Sequence, residues 1–303
     1  MTEPTSKYPH TLRRFGYTDI LGWSYSRYST FQNCKRQYYF EKYSKYDIEN
    51  ILKIDHLKTL TSVPMEIGNI SHKLIKCLLE RLKKSSEEID REKFADYSLR
   101  EAQAIFREKT FEDIYYQRKD AVDFESEIFE PVQLAMENFL ASDRLRWIFE
   151  EALVTKDEWV IEPGGYGECR IDDLKAYCKV DFMFPIGDDL HIIDWKTGKE
   201  DTRKHRVQLR GYAIWANFHY KKAFENIETT ICHLLPEYRE NSERINEYDF
   251  EDFSSMIRDQ TAEMQQYCAE PELNTPLPKD EFAMTSHENF CKTCRFRELC
   301  DRG

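Results

Sequence analysis

Lys179-Val-Asp-Phe-Met-Phe-Pro-Ile-Gly-Asp-Asp-Leu-His-Ile-Ile-Asp-Trp-Lys-Thr-Gly198 carries two apolar runs on either side of a short Gly187-Asp188 turn. Runs of this length bounded by turn residues read as strands, here Tyr177–Phe184 and Asp189–Trp195, joined as a hairpin. If the hairpin turns on Gly187-Asp188, position 181 pairs with position 194. Directly opposed side chains have Cβ atoms about 4.5–5.5 Å apart, so Asp181 and Asp194 become neighbours. Alternation along the strand then puts Lys196 on the same face as Asp194. Two carboxylates this close repel unless a cation joins them. A hard divalent ion such as Mg²⁺ suits oxygen ligands and retains water for chemistry. A one-residue slip would send one carboxylate to the wrong face, so the site depends on register.

Outward from this hairpin the pattern stays α/β. Trp159–Glu162 reads as a strand, Pro163–Gly167 as a turn, residues 203–221 as a helix and Glu228–Leu235 as another strand. Upstream, Ile67, Ile70, Leu74, Ile75, Leu78, Leu79 and Leu82 recur at three- and four-residue steps, an amphipathic helix over 66–83. Residues 26–46 are rich in Tyr, Phe and Lys with a period near helical. Charged helical patterns follow near 91–118 and 123–153, and prolines 271, 276 and 278 favour extended backbone in the tail. With no repeat, low-complexity tract or Gly/Ser linker, the chain reads as one extended domain: residues 1–60 an N-terminal segment, 61–155 a helical region with an insertion, 156–240 the α/β core and 241–303 a closing segment.

Composition limits what such a domain can be. The chain has 303 residues, 41% of them hydrophobic, enough for a sizeable core. No apolar run approaches the ~20 residues of a membrane helix, and Met1–Lys7 lacks the apolar stretch of a secretory signal; both predict a cytoplasmic protein. A net charge of −12 argues against indiscriminate coating of nucleic acid, yet charge is uneven. Residues 1–46 carry eight Lys/Arg against three acids, and residues 195–222 eight against two. Basic stripes on an acidic body suit a protein that grips phosphates along one groove; a mosaic of solvated surface charge is the plainer alternative.

An Asp-x-Lys triplet is common on protein surfaces, and a lone helical His is more often half-buried packing than a ligand. The ordered set is more specific. Gly68-x-x-x-His72, then Asp181, then Asp194-Trp-Lys196-Thr-Gly198, then Gln208-x-x-x-Tyr212 resembles the RecB-like branch of the PD-(D/E)XK nucleases. The resemblance implies a restriction-endonuclease-like core, a central mixed sheet flanked by helices. It implies that His72, Asp181 and Asp194 bind Mg²⁺ or Mn²⁺, that Lys196 assists the nucleophilic water, and that the Gln208–Tyr212 helix lies against the substrate beside Arg206 and Arg210. The reaction would be metal-dependent hydrolysis of DNA phosphodiesters, as an exonuclease on single strands or ends, in repair, recombination or defence. Glu66 and Glu162 are further candidate ligands or supporting groups. The competing class is a nucleic-acid-binding subunit of a helicase or CRISPR complex with little activity alone. No helicase motif is present, so unwinding would need another protein.

Nine cysteines in a reducing compartment point to metal or redox chemistry rather than disulfides. Cys77, Cys169, Cys178, Cys232 and Cys268 are scattered and read as small buried hydrophobes. Cys291-x-x-Cys294 and Cys300 supply three clustered thiols. The Ser24–Tyr38 segment, with Cys34, looks like the N-terminal cysteine segment of iron–sulfur members of the same family, the AddB nuclease subunits and the nucleases of CRISPR adaptation. Lys35 stands where those relatives often have proline. The resemblance implies a [4Fe–4S] cluster on Cys34, Cys291, Cys294 and Cys300; four thiols alone equally suit zinc. Arg36, Tyr38, Tyr39 and Lys42 form a basic aromatic flank open to two readings, base stacking or core packing.

Overall fold

The structure is a computed structural model that describes residues 15, 18–85, 87–163, 167–300 and 302. The basic positions 7, 13 and 14, and part of the expected 163–167 turn, lie outside the described residues.

The N-terminal part holds strand β1 (Gly22–Trp23) and helices α1 (Tyr25–Asn33), α2 (Lys35–Tyr43) and α3 (Ile51–Thr59). Helix α4 (Val63–Lys84) is followed by α5 (Arg91–Arg107), α6 (Glu112–Tyr115), α7 (Glu130–Ala141) and α8 (Asp143–Glu150). The core contributes β2 (Val160–Ile161), β3 (Glu168–Ile171), β4 (Leu174–Tyr177), β5 (Phe182–Ile186), β6 (Asp189–Lys196), α9 (Thr202–Tyr220), β7 (Ile227–His233) and β8 (Arg239–Glu243). Helices α10 (Glu247–Gln265) and α11 (Glu288–Lys292) lead into the C-terminal cysteines.

A five-stranded mixed sheet, ordered β2-β5-β6-β7-β8, is the centre of the fold. β5 and β6 form the expected antiparallel hairpin, with Phe182 opposite Ile193 and Ile186 opposite Asp189. β6 and β7 are parallel and joined through α9, a crossover that places one helix layer against the sheet. Both faces are covered, which explains why β6 reads as an almost unbroken apolar run. Leu190, Ile192 and Met183 enter one core with α9 and the N-terminal helices. Phe182, Phe184, Ile193 and Trp195 enter a second core with α4 and α7. Burying one such side chain fully contributes about 1.5–3 kcal/mol, and alternation sends Ile192 into the first core and Ile193 into the second.

Several expected elements divide: the helical pattern over 26–46 gives α1 and α2, and that over 91–118 gives α5 and α6. The single strand over 177–184 is two: the chain leaves β4 at Cys178, whose N–H donates to the Gly167 carbonyl (3.0 Å), and re-enters the main sheet at Phe182. β4 belongs to a small sheet ordered β1-β4-β3. The helical pattern over 123–153 breaks at Ser142, whose N–H closes α7 on Phe139 and whose hydroxyl caps α8 by accepting from Leu145 N (3.1 Å). Tyr38 and Tyr39 are buried in the first core, against Phe31, Tyr43 and Phe282, so these two rings are core packing. Among the described residues no helix is long and apolar enough to cross a membrane.

Candidate active site

The N-terminal end of β5 and the C-terminal end of β6 lie side by side, and the expected acidic residues meet there. Asp181 sits one residue before the β5 ladder begins, where Trp195 N–H donates to its Oδ2 (3.1 Å). From the α4 side, His72 Nδ1 approaches the same oxygen at 3.3 Å. His72 Nε2 lies 2.9 Å from the Trp195 carbonyl. A carbonyl only accepts, so Nε2 carries the proton and Nδ1 faces the carboxylates. A Cβ on Gly68 would stand 3.4 Å from Thr197 Oγ1, so α4 packs close to the turn after β6 at the glycine of the Gly68-x-x-x-His72 run.

From the opposite face, α9 holds Asp194. Tyr212 donates its hydroxyl to Asp194 Oδ1, Gln208 Nε2 donates to the same oxygen at 3.1 Å, and Lys196 Nζ contacts Oδ2. Asp194 is only 1% exposed. Burial, then the Asp181 charge, push its carboxyl above the usual range, with Lys196 and Tyr212 pulling it back. Burial acts the same way on Asp181, but the charge and hydrogen bond of His72, with Lys196 and the Trp195 amide, hold it below its ordinary value. Burial works to lower His72, yet Asp181 and Asp194 raise it. Two buried carboxylates thus share one lysine and one imidazole, an oxygen-rich arrangement able to take a hard cation.

Glu162 completes the group. Its N–H donates to the Asp181 carbonyl (2.7 Å), and its carboxylate lies within 4.8 Å of the ligand atoms of both His72 and Asp181. It adopts φ +37°, an unfavourable region for a non-glycine residue. Such strain is retained where the surroundings fix it, often at functional sites. The carboxylate donors suit a hard divalent cation such as Mg²⁺ or Mn²⁺, and the imidazole beside them adds a softer nitrogen donor.

The model of the PD-(D/E)XK nuclease superfamily matches residues 22–301. The chain belongs to this superfamily. A solved structure titled "Crystal structure of SSO0001" is similar over 57% of this nuclease and 73% of its own chain, at 14% identity and a TM-score of 0.29. The comparison with curated proteins gives no match.

The nuclease gathers His72, Asp181, Asp194, Lys196, Gln208 and Tyr212, the last two also lining a cleft beside Lys196. Both side chains grip Asp194, so they position a carboxylate. Arg206 and Arg210 lie elsewhere: Arg206 pairs with Glu243 (3.2 Å), and Arg210 with Asp249 and with Asp252 (3.0 Å). Glu66 is buried and accepts from Thr61 (2.6 Å) and Asn69 (3.1 Å), whereas Glu162 joins the centre. Nothing in the spacing of the sequence distinguished these two glutamates; the β2–β5 pairing does.

The cysteines from the two ends of the chain also converge. Cys34 closes α1 through its N–H on Thr30 O (3.0 Å) and starts α2, its Sγ accepting from Gln37 N (3.5 Å). Cys34, Cys291, Cys294 and Cys300 line one cavity walled by Phe40, Phe290 and Phe296. Cys294 Sγ accepts from Phe296 N (3.4 Å) and Cys291 Sγ from Arg302 (3.8 Å). Burial pushes the Cys294 thiol up to about 12 and raises Cys300, so thiol-binding metal would release protons on entry. Of the scattered five, Cys169, Cys232 and Cys268 are buried; Cys77 and Cys178 are partly covered.

Proposed function

We propose that this nuclease is a metal-dependent deoxyribonuclease, an exonuclease acting on single strands or DNA ends, with a structural [4Fe–4S] cluster on Cys34, Cys291, Cys294 and Cys300. The observation that carries the catalytic reading is the group formed by His72, Glu162 and Asp181, with a buried Asp194 that acts electrostatically on His72 and Asp181 and that Lys196 touches. His72, Asp181 and Asp194, with Glu162 beside them, would hold Mg²⁺ or Mn²⁺. When bound, the ion polarises the phosphoryl oxygen and lowers the pKa of a water.

The remaining chemistry belongs to the chain. Lys196 is partly exposed and the Asp194 carboxylate keeps its ammonium at the site. There it orients an attacking water and offsets charge growing on the phosphate. Asp181, held ionised by His72, keeps the imidazole facing inward. Gln208 and Tyr212 fix the Asp194 carboxylate, so little reorganisation remains for the reaction.

The cluster reading is supported by four thiols around one apolar cavity, with N–H groups donating to three of the sulfurs. Soft thiolates suit iron–sulfur clusters and zinc. The cluster would tie residue 34 to residues 291–300 and close the two ends of the chain over the core. Repair, recombination or defence are the settings in which such an enzyme works, with a helicase as a fitting partner.

Cleavage of an end-labelled single-stranded oligonucleotide in Mg²⁺ or Mn²⁺, wild type beside Lys196→Ala, tests the catalytic reading. Products made only by the wild type support it. An anaerobically purified, iron-loaded protein that leaves the oligonucleotide intact would shift the reading to a binding subunit. Iron, sulfide and zinc analysis of the same sample separates a cluster from zinc.

A further inference from the structure

Next to Lys196 a cleft of about 430 Å³ opens between three elements that are distant in sequence. The start of α1 supplies Ser24 and Tyr25, the end of β4 supplies Tyr177 with Lys179 just beyond, and the first turns of α9 supply Lys204 and Val207. The inner wall is Lys196, Gln208 and Tyr212, so the cleft is continuous with the catalytic group. Its lining includes three lysines and no carboxylate, in a chain of net charge −12. Asp201 is close enough to raise the Tyr25 phenol alongside burial, but its side chain turns to cap α9 by accepting from Lys204 N (3.0 Å). The Arg27 guanidinium stands 5.9 Å from the centre of the Tyr177 ring and braces it. Tyr25 and Tyr177 are partly buried, Tyr25 against the first core and the Tyr177 ring against Gly22, and both still line the cleft, whereas Tyr38 and Tyr39 are fully buried.

We propose that this cleft is a base-binding subsite, resting on the nuclease reading, in which Tyr25 and Tyr177 stack on unpaired bases flanking the scissile phosphate while Lys179 and Lys204 hold the neighbouring phosphates. A ring in a cleft wall is of use only to a base whose face is free, and a duplex hides those faces within its stack. Aromatic platforms with a cationic rim are how sequence-independent binding of single strands is built. The lysines suit phosphate as point charges, and both are exposed at the rim. The subsite therefore selects an unpaired strand through α1 and β4 of this chain and not through the metal-binding residues.

Fluorescence anisotropy with full-length protein in Ca²⁺ tests this, using 5′-fluorescein oligothymidylate, the same strand with abasic sites, and a blunt duplex. Oligothymidylate is expected to bind at least about tenfold tighter than either competitor, and Tyr25→Ala to weaken it roughly 5- to 150-fold, with Tyr25→Phe restoring binding. Lys204→Ala, at an exposed position, should weaken the binding and lower the salt dependence by roughly 0.7 in log–log slope. Equal binding of duplex and single strand, or wild-type affinity in both Tyr25→Ala and Lys204→Ala, overturns the subsite. Thermal melts confirm that the variants are folded. If Lys196-dependent cleavage persists while these variants bind normally, the subsite alone fails. If the cleft binds single strands as described but no strand is cut, the nuclease reading alone fails.

Discussion

Replacing Lys196 by alanine and Tyr212 by phenylalanine separates two things that happen at Asp194. Lys196 touches Asp194 Oδ2 and acts electrostatically on Asp181. A unit charge about 4 Å from another is worth ~4 kcal/mol at an effective dielectric of 20, so the ammonium opposes any cation added to this carboxylate pair. Lys196→Ala should therefore bind Mn²⁺ as tightly as wild type, or up to about tenfold tighter, while losing cleavage by at least about 100-fold. Tyr212→Phe acts in the other direction. It removes a buried hydroxyl that donates to Asp194 Oδ1 and leaves Gln208 as the remaining donor to that oxygen. Groups that orient a ligand in this way typically matter about 10- to 100-fold in metal affinity or activity. The expected signature is a Mn²⁺ dependence of cleavage shifted upward by that factor, with most of the rate recovered at saturating Mn²⁺. Calorimetric Mn²⁺ titration of each variant, beside cleavage of a labelled oligonucleotide, reads both quantities. Lys196→Ala cutting at the wild-type rate, or a Tyr212→Phe Mn²⁺ curve lying on that of wild type, refutes the assignment of roles.

On the cluster reading, Cys34→Ser should lose iron and lower the melting temperature by about 5 °C, the equivalent of ~3 kcal/mol in a chain of this size, followed by metal analysis and calorimetry. His205 lies against His233 with ring centres 5.1 Å apart, and burial with the His233 charge lowers it from 6.5 to about 4. The unfolded chain then takes up a proton that the folded one refuses, so stability is full above 6.5 and drains as pH falls towards 4. After discounting for solvent screening the loss should be about 1–2 kcal/mol, smaller in His205→Leu, measured as the change in urea midpoint between about pH 7.5 and about pH 5. Gly211→Ala places a Cβ 2.8 Å from Cys178 Sγ and 3.4 Å from Phe253. It should cost about 1–3 kcal/mol in a thermal melt, with Cys178→Ala in the same chain recovering much of it.

The hairpin shows which parts of this site were legible. A tight turn fixes register, and the apolar alternation around Gly187-Asp188 left one arrangement that buries both faces; the observed pairing of Phe182 with Ile193 is that arrangement. From it the proximity of Asp181, Asp194 and Lys196 follows. His72 is different. Helical spacing puts it at the edge of an apolar stripe, and only the contact of α4 with the turn after β6 brings it to Asp181. Glu162 and Glu66 were equivalent on spacing because pairing between β2 and β5 is a long-range choice that two strand residues, Val160 and Ile161, cannot announce. The β1-β4-β3 sheet escaped for the same reason: its strands are short, and one of them comes from the far end of the chain.

Helix α1 joins the two regions that the sequence presents as separate. Its first residue, Tyr25, stands in the cleft beside Lys196, and Cys34, which closes it, faces the cavity of the C-terminal cysteines. Nine residues of α-helix span only about 14 Å. Just past the end of α1, the start of α2 is clamped to the tail: Arg36 N–H and Nε donate to the carbonyls of Ala283 (3.2 Å) and Phe282 (2.9 Å). The N-terminal segment also reaches the small sheet through Gly22 and Trp23, which pair with Lys175 and Ala176 of β4. A helix as short as α1 is marginal alone in water, so its position is set by these anchors at either end. Release of the cysteine end would therefore be felt at Tyr25 before it is felt at Asp181 or Asp194, which are fixed by β5, β6, α4 and α9. Cys34→Ser is thus expected to weaken the hold on an unpaired strand while leaving the Mn²⁺ affinity of the acidic group close to that of wild type.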